Sequence, residues 1–219
     1  MALTVNTNMA AMKASNTLNN TQGALSSTLA RVSSGLRVTK AADDAAGQAV
    51  ATNLSTQARS GRQAIRNAND GISVIQTAEA ASKEVISILD RMRELAVQSS
   101  SETLEDDERA YIDSEFHQLS DEVERIAQST EFNDIALAEG TNSALEVQVG
   151  VDASSNSRVS IALGNLSTTN LSVETSDIDL TAASSAQTAI TTIDAAIDSV
   201  NSIRANYGAV QNRLESSIN

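Results

Sequence analysis

A chain of 219 residues without cysteine or proline has no disulfide framework, thiol catalysis or cysteine-held metal, and it suits long unbroken helices. Aromatic residues make up only 2% against 41% hydrophobic, which disfavours a thick globular core and points to thin aliphatic seams between helices. The formal net charge of −13 disfavours nucleic acid, and no apolar run is long enough to cross a bilayer.

The charge is unevenly placed. Up to residue 66, seven basic residues stand against Asp43 and Asp44 alone, +5, which leaves −18 for the remainder. Oppositely charged parts favour association with copies of the same chain, one part against another. The basic part also lacks aromatic side chains for base stacking. Met1-Ala2-Leu3-Thr4-Val5-Asn6 has no basic stretch followed by an apolar run, so no cleavable secretory signal is visible. By these rules the protein is cytoplasmic or leaves by a route that does not read such signals.

In chain order, residues 3 to 36 carry a helical pattern. Leu18, Gln22, Leu25, Leu29, Val32 and Leu36 step by four and three, a coiled-coil seam with one polar place; Leu3, Val5, Met9 and Met12 extend it less regularly. Asparagine, serine and threonine are dense here, so the segment is expected to stay disordered until a partner covers its seam. Residues 33 to 40 read as a connector, with Gly35 as the break.

From Asp43 to Gln98 apolar residues keep helical spacing: Val50 and Leu54, then Ile65, Ala68, Ile72 and Ile75, then Val85, Ile88, Met92 and Leu95. Asp43 and Asp44 complement the positive end of the helix dipole. Such a helix would span roughly 85 Å at 1.5 Å per residue and must lie along other long helices. Asn69-Asp70-Gly71 is a turn signal, yet the apolar phase runs through it. One rod is therefore expected, with a break into two helices at Gly71 as the alternative.

After a polar turn, Thr103 is the expected cap of a helix with Glu105, Asp106, Asp107 and Glu108 in its first turn. Its seam is Ile112, Phe116, Leu119, Val123 and Ile126, and the short loop makes it an antiparallel neighbour of the long helix, with Arg91 and Leu95 near the level of Glu115. Strict alternation at Leu145, Val147, Val149 and Val151, then at Val159, Ile161 and Leu163, predicts a β-hairpin. Residues 164 to 179 are polar and irregular, with Leu171 and Val173 as a weak third strand. A last helix from about Ala182 carries a seam of Ile190, Ile193, Ile197, Val200, Ile203, Tyr207, Val210 and Leu214. The expected fold is mainly α: an elongated rod of long antiparallel coiled-coil-like helices with a small β-hairpin region. Two parts are expected, 1–42 (helix and connector) and 43–219 (helical rod, with the hairpin region at about 140–180).

Little of this is chemistry. His117 is the single histidine, without an HExxH partner, and reads as a surface residue. Consecutive acids from Glu105 to Glu108 point in different directions, so the helix dipole explains them better than a cation does. The glycines are isolated, with no phosphate loop or nucleophile elbow. No catalytic, cofactor-binding or metal residues are expected, and no enzyme. Arg59, Arg62 and Arg66 share a helical face, either solvated or meeting the acidic body of a neighbouring copy. Ser154, Ser155, Thr168 and Thr169 are expected to be exposed enough to carry a glycan.

Several stretches together resemble bacterial flagellin: Ser33-Ser34-Gly35-Leu36-Arg37, Asp43-Asp44-Ala45-Ala46-Gly47-Gln48-Ala49, and Arg66-Asn67-Ala68-Asn69-Asp70-Gly71-Ile72-Ser73. To these add Arg93-Glu94-Leu95-Ala96-Val97-Gln98, Thr130-Glu131-Phe132-Asn133 and Gly208-Ala209-Val210-Gln211-Asn212-Arg213. The resemblance implies a secreted, extracellular subunit of the helical flagellar filament, exported unfolded through the flagellar type III apparatus. Its implied partners are other flagellin copies, the capping and junction proteins and the Toll-like flagellin receptor of animal hosts, with no cofactor, nucleic acid or membrane. It makes residues 1–42 part of an inner tube domain whose polymerisation seam is Leu18, Leu25, Leu29, Val32 and Leu36, and residues 43–219 the next domain outward. It implies receptor contact, or contact with the adjoining protofilament, at Arg91, Leu95 and Glu115. Flagellins continue past the Gly208–Arg213 motif into a further helical segment; this sequence lacks it, so a truncated chain that does not polymerise alone is expected. A hook–filament junction protein and a non-flagellar coiled-coil scaffold are the other readings.

Overall fold

Gly35 ends the first helix because its backbone sits at φ 68°, the left-handed region that glycine enters without a Cβ penalty. That helix, α1 (Met9–Ser34), belongs to a computed structural model that describes residues 8–218; Leu3 and Val5 lie outside the described residues. Next come α2 (Ala45–Ser99), α3 (Asp106–Ser129), β1 (Glu131–Phe132), β2 (Ile135–Ala136), β3 (Ala144–Gln148), β4 (Arg158–Ala162), α4 (Thr168–Leu171) and α5 (Ala183–Ile218). The architecture is mainly α, with long helices and small hairpins, as the periodicity predicts. Two units are distinguished, Met1–Arg59 and Ser60–Asn219. The division falls inside α2 rather than near residue 42, because α2 buries no side chain before Ala64.

Within the first unit, α1 is helical throughout its length, although it buries nothing. Asn8 caps it, its side-chain oxygen accepting from the N–H groups of Ala10 and Ala11. Thr17, Thr21 and Thr28 return their hydroxyls to carbonyls four residues back, a bond that satisfies each hydroxyl at a small cost to the helix. The two aspartates before α2 divide the work expected of both. Asp44 is the cap, accepting from the Gly47 N–H at 2.9 Å. Asp43 instead ties the connector, accepting from the Thr39 N–H and hydroxyl and the Lys40 N–H, with Arg31 at 3.3 Å. Those hydrogen bonds, the Thr39 backbone N–H foremost, hold its carboxyl below the usual range. Gly47 follows from the cap: a Cβ there would collide with the Asp44 carboxylate.

In the second unit, α2 passes Gly71 without a break. Gly71 is buried, and a Cβ on it would lie 3.1 Å from Val147 Cγ2 and 3.3 Å from Leu214 Cδ1, so the glycine serves close packing rather than a turn. The α3 seam has its expected members, with Ile112, Phe116, Val123 and Ile126 buried. Its cap differs. Glu105, not Thr103, is the N-cap, and the Glu108 side chain reaches back to the Glu105 N–H at 3.2 Å. Buried Arg109 donates to the carbonyls of Ser99 (3.2 Å) and Ser101 (2.9 Å), bringing a cation to the negative end of α2 and fixing the turn. On α5 the innermost line is Ala186, Ala189, Ile193, Ala196, Val200, Tyr207 and Leu214; the expected Ile190, Ile197, Ile203 and Val210 flank it, half-buried.

β3 and β4 form the predicted hairpin, with Leu145 opposite Ile161 and Val147 opposite Val159. A smaller hairpin precedes it, β1 on β2, turned by Asn133 and Asp134 at φ 51° and 62°, the left-handed pair a two-residue hairpin turn requires. The weak third strand does not form. Leu171 ends α4, and residues 163–182 make an irregular strap whose Leu166, Leu171, Val173, Ile178 and Leu180 are all buried. The strap runs antiparallel to α3 and is pinned once per turn. Glu124 accepts from the Thr168 N–H and hydroxyl, Ser120 donates to the Val173 carbonyl, and Asp113 accepts from the Leu180 N–H. Between these, His117 Nε2 lies 3.4 Å from the Ile178 carbonyl oxygen. Strand pairing would leave those carbonyls facing α3 unserved; side-chain pins satisfy them instead.

Candidate functional site

Two surfaces gather the residues singled out by sequence. On the first unit, Leu18, Leu25, Leu29, Val32 and Leu36 are 57–75% exposed, the first four along α1 and Leu36 just beyond it. Among the described residues of this unit none is buried, and none of them covers the stripe. Leucines at heptad spacing on a helix that buries none of them leave an apolar stripe open along α1. Exposed apolar side chains of that number and order differ from the single scattered ones of an ordinary surface.

On the second unit, Arg91 and Glu115 meet across the α2–α3 pair. Arg91 Nη2 lies 2.8 Å from Glu115 Oε1, Nε donates to the same oxygen, and Nη1 reaches Glu94 at 3.0 Å. These bonds, Glu115 first, raise the Arg91 pKa. Both members of the pair are about half exposed and accessible to a partner. Leu95 is not. It was expected on the same surface, but it is 1% exposed and packed in the core with Met92, Phe116 and Ile112. A leucine one turn after Arg91 can face the surface or the seam, and the seam, stepping by four from Ile88 to Met92 and by three to Leu95, takes it.

Arg59, Arg62 and Arg66 are exposed, and among the described residues none of them pairs with an acid; Arg66 Nε donates to Gln63 Oε1 at 3.1 Å. His117 is half-buried against the strap, with Asp113 at 3.7 Å, rather than a plain surface residue. No group of three or more metal-ligating side chains occurs among the described residues. Of the expected glycan acceptors, Ser154, Ser155 and Thr169 are exposed, whereas Thr168 is buried in its bonds to Glu124. The strap and its pins were missed from the sequence. Leu171-Ser172-Val173 and Ile178-Asp179-Leu180 repeat an apolar pair after seven residues, matching the period of the helix they cross, and that repeat was the available signal.

The family model for the bacterial flagellin N-terminal helical region matches residues 5–143. A flagellin of Halalkalibacterium halodurans is 41% identical over 214 residues, covering 98% of this chain and 78% of its own length. A polar flagellin B/D of Vibrio parahaemolyticus is 45% identical over 152 residues, 69% of this chain and 40% of the relative, and a flagellin of Xenorhabdus nematophila is 40% identical over 80% of this chain and 55% of its own. The chain thus spans about half the length of some relatives and most of another. Among solved structures, Bacillus cereus flagellin superposes with a TM-score of 0.61 at 30% identity, covering 70% of this chain and 87% of that one. FliC of Burkholderia pseudomallei, at TM-score 0.57 and 19% identity over 66% of this chain and all of that one, shares the fold. The chain belongs to the bacterial flagellin family.

Proposed function

We propose that this chain is a structural, non-catalytic subunit of the extracellular flagellar filament, a homopolymer that serves motility. The carrying observation is the α1 stripe: Leu18, Leu25, Leu29 and Val32 in heptad register, helical and exposed. Lost contact of that stripe with water is the driving force for assembly, at about 25 cal/mol per Å² of apolar surface covered. The subunit leaves the cell unfolded through the flagellar type III apparatus and meets the capping and junction proteins at the filament ends. The Arg91–Glu115 pair is the contact for the Toll-like flagellin receptor of animal hosts or for an adjoining protofilament, with Leu95 supporting it from the core.

The test uses a dye-labelled Ser154→Cys chain added to growing filaments of the Halalkalibacterium halodurans flagellin. Incorporation is expected, and Leu25→Asp with Leu29→Asp lowers it about tenfold, since two charges enter an apolar seam. Equal incorporation of both forms, or none of the unsubstituted chain, contradicts the reading.

A further inference from the structure

α1 has no acidic residue anywhere in its 26 positions. Its apolar line, Leu18, Leu25, Leu29 and Val32, is continued by Ala14 and Ala11, four and seven residues before Leu18. The opposite side is hydroxyl and amide, with Asn16, Asn20, Ser27 and Ser34, and Lys13 stands on that polar side. Ser15, Thr21, Thr28 and Ser33 flank the line and carry no charge, so no ion pair there fixes the register of a helical partner. A surface without register meets such a face as well as a helix does. Bulky apolar side chains opposite small polar ones, at low overall hydrophobicity, suit a helix that lies in the interface of a bilayer. Among the described residues no helix is long and apolar enough to cross a membrane, so α1 can lie on one and not span it.

Charge gathers where the apolar line ends. Gly35 stops the helix, and Leu36, the last apolar member, lines an open pocket of about 670 Å³ together with Arg37, Val38, Ala51 and Arg59. Both arginines are exposed, and among the described residues neither is in an ion pair. Asp44 is the one carboxylate in the lining, and it is engaged by the Gly47 N–H at 2.9 Å. Arg31 is met by Asp43 at 3.3 Å, whereas Lys13 and Lys40 are exposed without an acidic partner among the described residues. Over residues 1–59 five basic side chains stand against two acidic ones, in a protein whose net charge is −13. Two guanidiniums beside an apolar opening match a phosphate that carries acyl chains: Arg37 and Arg59 meet the charge, Leu36 and the α1 line the hydrocarbon.

We propose that the unassembled chain lies on the surface of a bilayer that contains anionic phospholipid. α1 sinks its leucine line among the acyl chains, and Arg37 and Arg59 take lipid phosphates at the pocket beyond Gly35. Such a bilayer is a partner outside those that the flagellin resemblance implies. The second unit, whose acidic residues outnumber its basic ones, is repelled by the same lipid, so the contact is confined to the first unit. Filament copies and lipid compete for one apolar line, and the lipid-bound chain is therefore the one that has not assembled.

The test is flotation of the full chain with vesicles of phosphatidylcholine alone, or with about 30% phosphatidylglycerol, at about 0.05 M and about 0.5 M salt. The chain is expected to rise with the anionic vesicles at low salt, and about tenfold less at high salt or without phosphatidylglycerol. Leu25→Asp with Leu29→Asp abolishes flotation, because charge enters the apolar line. Arg37→Gln with Arg59→Gln lowers it about tenfold and leaves the leucines untouched. None of these four side chains is buried, and far-UV circular dichroism confirms that each variant keeps its helices. On vesicles, amide exchange slows across Met9–Ser34 and stays unchanged across Asp106–Ser129. A chain left below by every vesicle, equal flotation after either double substitution, or an α1 stripe taken up by self-association without lipid overturns the inference. Incorporation into filaments is read separately, so absent flotation with normal incorporation defeats the lipid contact and leaves the filament reading standing.

Discussion

One helical turn separates Arg91 from Leu95 on α2, and the two side chains end in opposite surroundings. Arg91 stays in solvent with Glu115 and Glu94, where an exposed ion pair contributes little to stability. Leu95 lies in the core at 1% exposure, and truncating it removes buried methyl groups and leaves a cavity. Urea unfolding of Leu95→Ala should therefore show a loss of about 2–5 kcal/mol, whereas Arg91→Ala should stay within about 0.5 kcal/mol of the parent. Receptor signalling by animal cells should fall for Arg91→Ala and Glu115→Ala at unchanged stability. A stable Arg91→Ala protein that signals normally would remove recognition from this pair. The Arg91–Glu115 approach was legible from sequence because a short turn between two seams fixes their relative level. The burial of Leu95 was equally legible in the seam, which steps by four from Ile88 to Met92 and by three from Met92 to Leu95. Arg109 was not legible: its role depends on the carbonyls of Ser99 and Ser101, which no side-chain pattern displays.

At the scale of elements, α2 and α3 were readable because their buried stripes have a period, and the β3–β4 hairpin because its alternation does. The strap has no backbone period of its own. It takes its order from α3, through Asp113, Ser120 and Glu124, and from α5, where Gly164 approaches so closely that a Cβ would collide with Ile203. There the Tyr207 hydroxyl accepts from the Gly164 N–H at 2.9 Å, and burial raises the phenol pKa. Glu124 is the strap's titratable pin. Its carboxyl is held below the ordinary value of 4.5, chiefly by the Thr168 backbone N–H. A carboxylate with a depressed folded-state pKa contributes fully above its unfolded value and loses that contribution as pH falls through the folded one. Glu124→Gln should accordingly cost about 1 kcal/mol near neutrality, and the deficit should shrink toward zero as the pH falls below 4.5 and through the depressed folded-state value. Urea midpoints of the two proteins across that range check it. A deficit that grows in acid would show that the Glu124 charge does not hold the strap.

For the whole molecule, the contrast between units carries the functional reading. The second unit has two buried apolar clusters, one around Phe116, Ile193 and Val200 and one around Ile75, Ile161 and Tyr207; the first has no buried residue among those described. A 26-residue helix rich in serine, threonine and asparagine, with its leucines in water, is at the margin of stability by itself. The α1 stripe was legible in the sequence as apolar side chains at heptad steps. The sequence did not reveal where the first unit stops, because α2 continues past Arg59 without any change of backbone, and only the onset of burial at Ala64 marks the difference. Amide hydrogen exchange followed by mass spectrometry, on the dilute chain and on the chain incorporated into filaments, compares α1 with α3 in one experiment. The account predicts rapid exchange across Met9–Ser34 in dilute solution, slow exchange of Asp106–Ser129 in both states, and strong protection of α1 once assembled. Protection of α1 equal to that of α3 in the dilute monomer would contradict it.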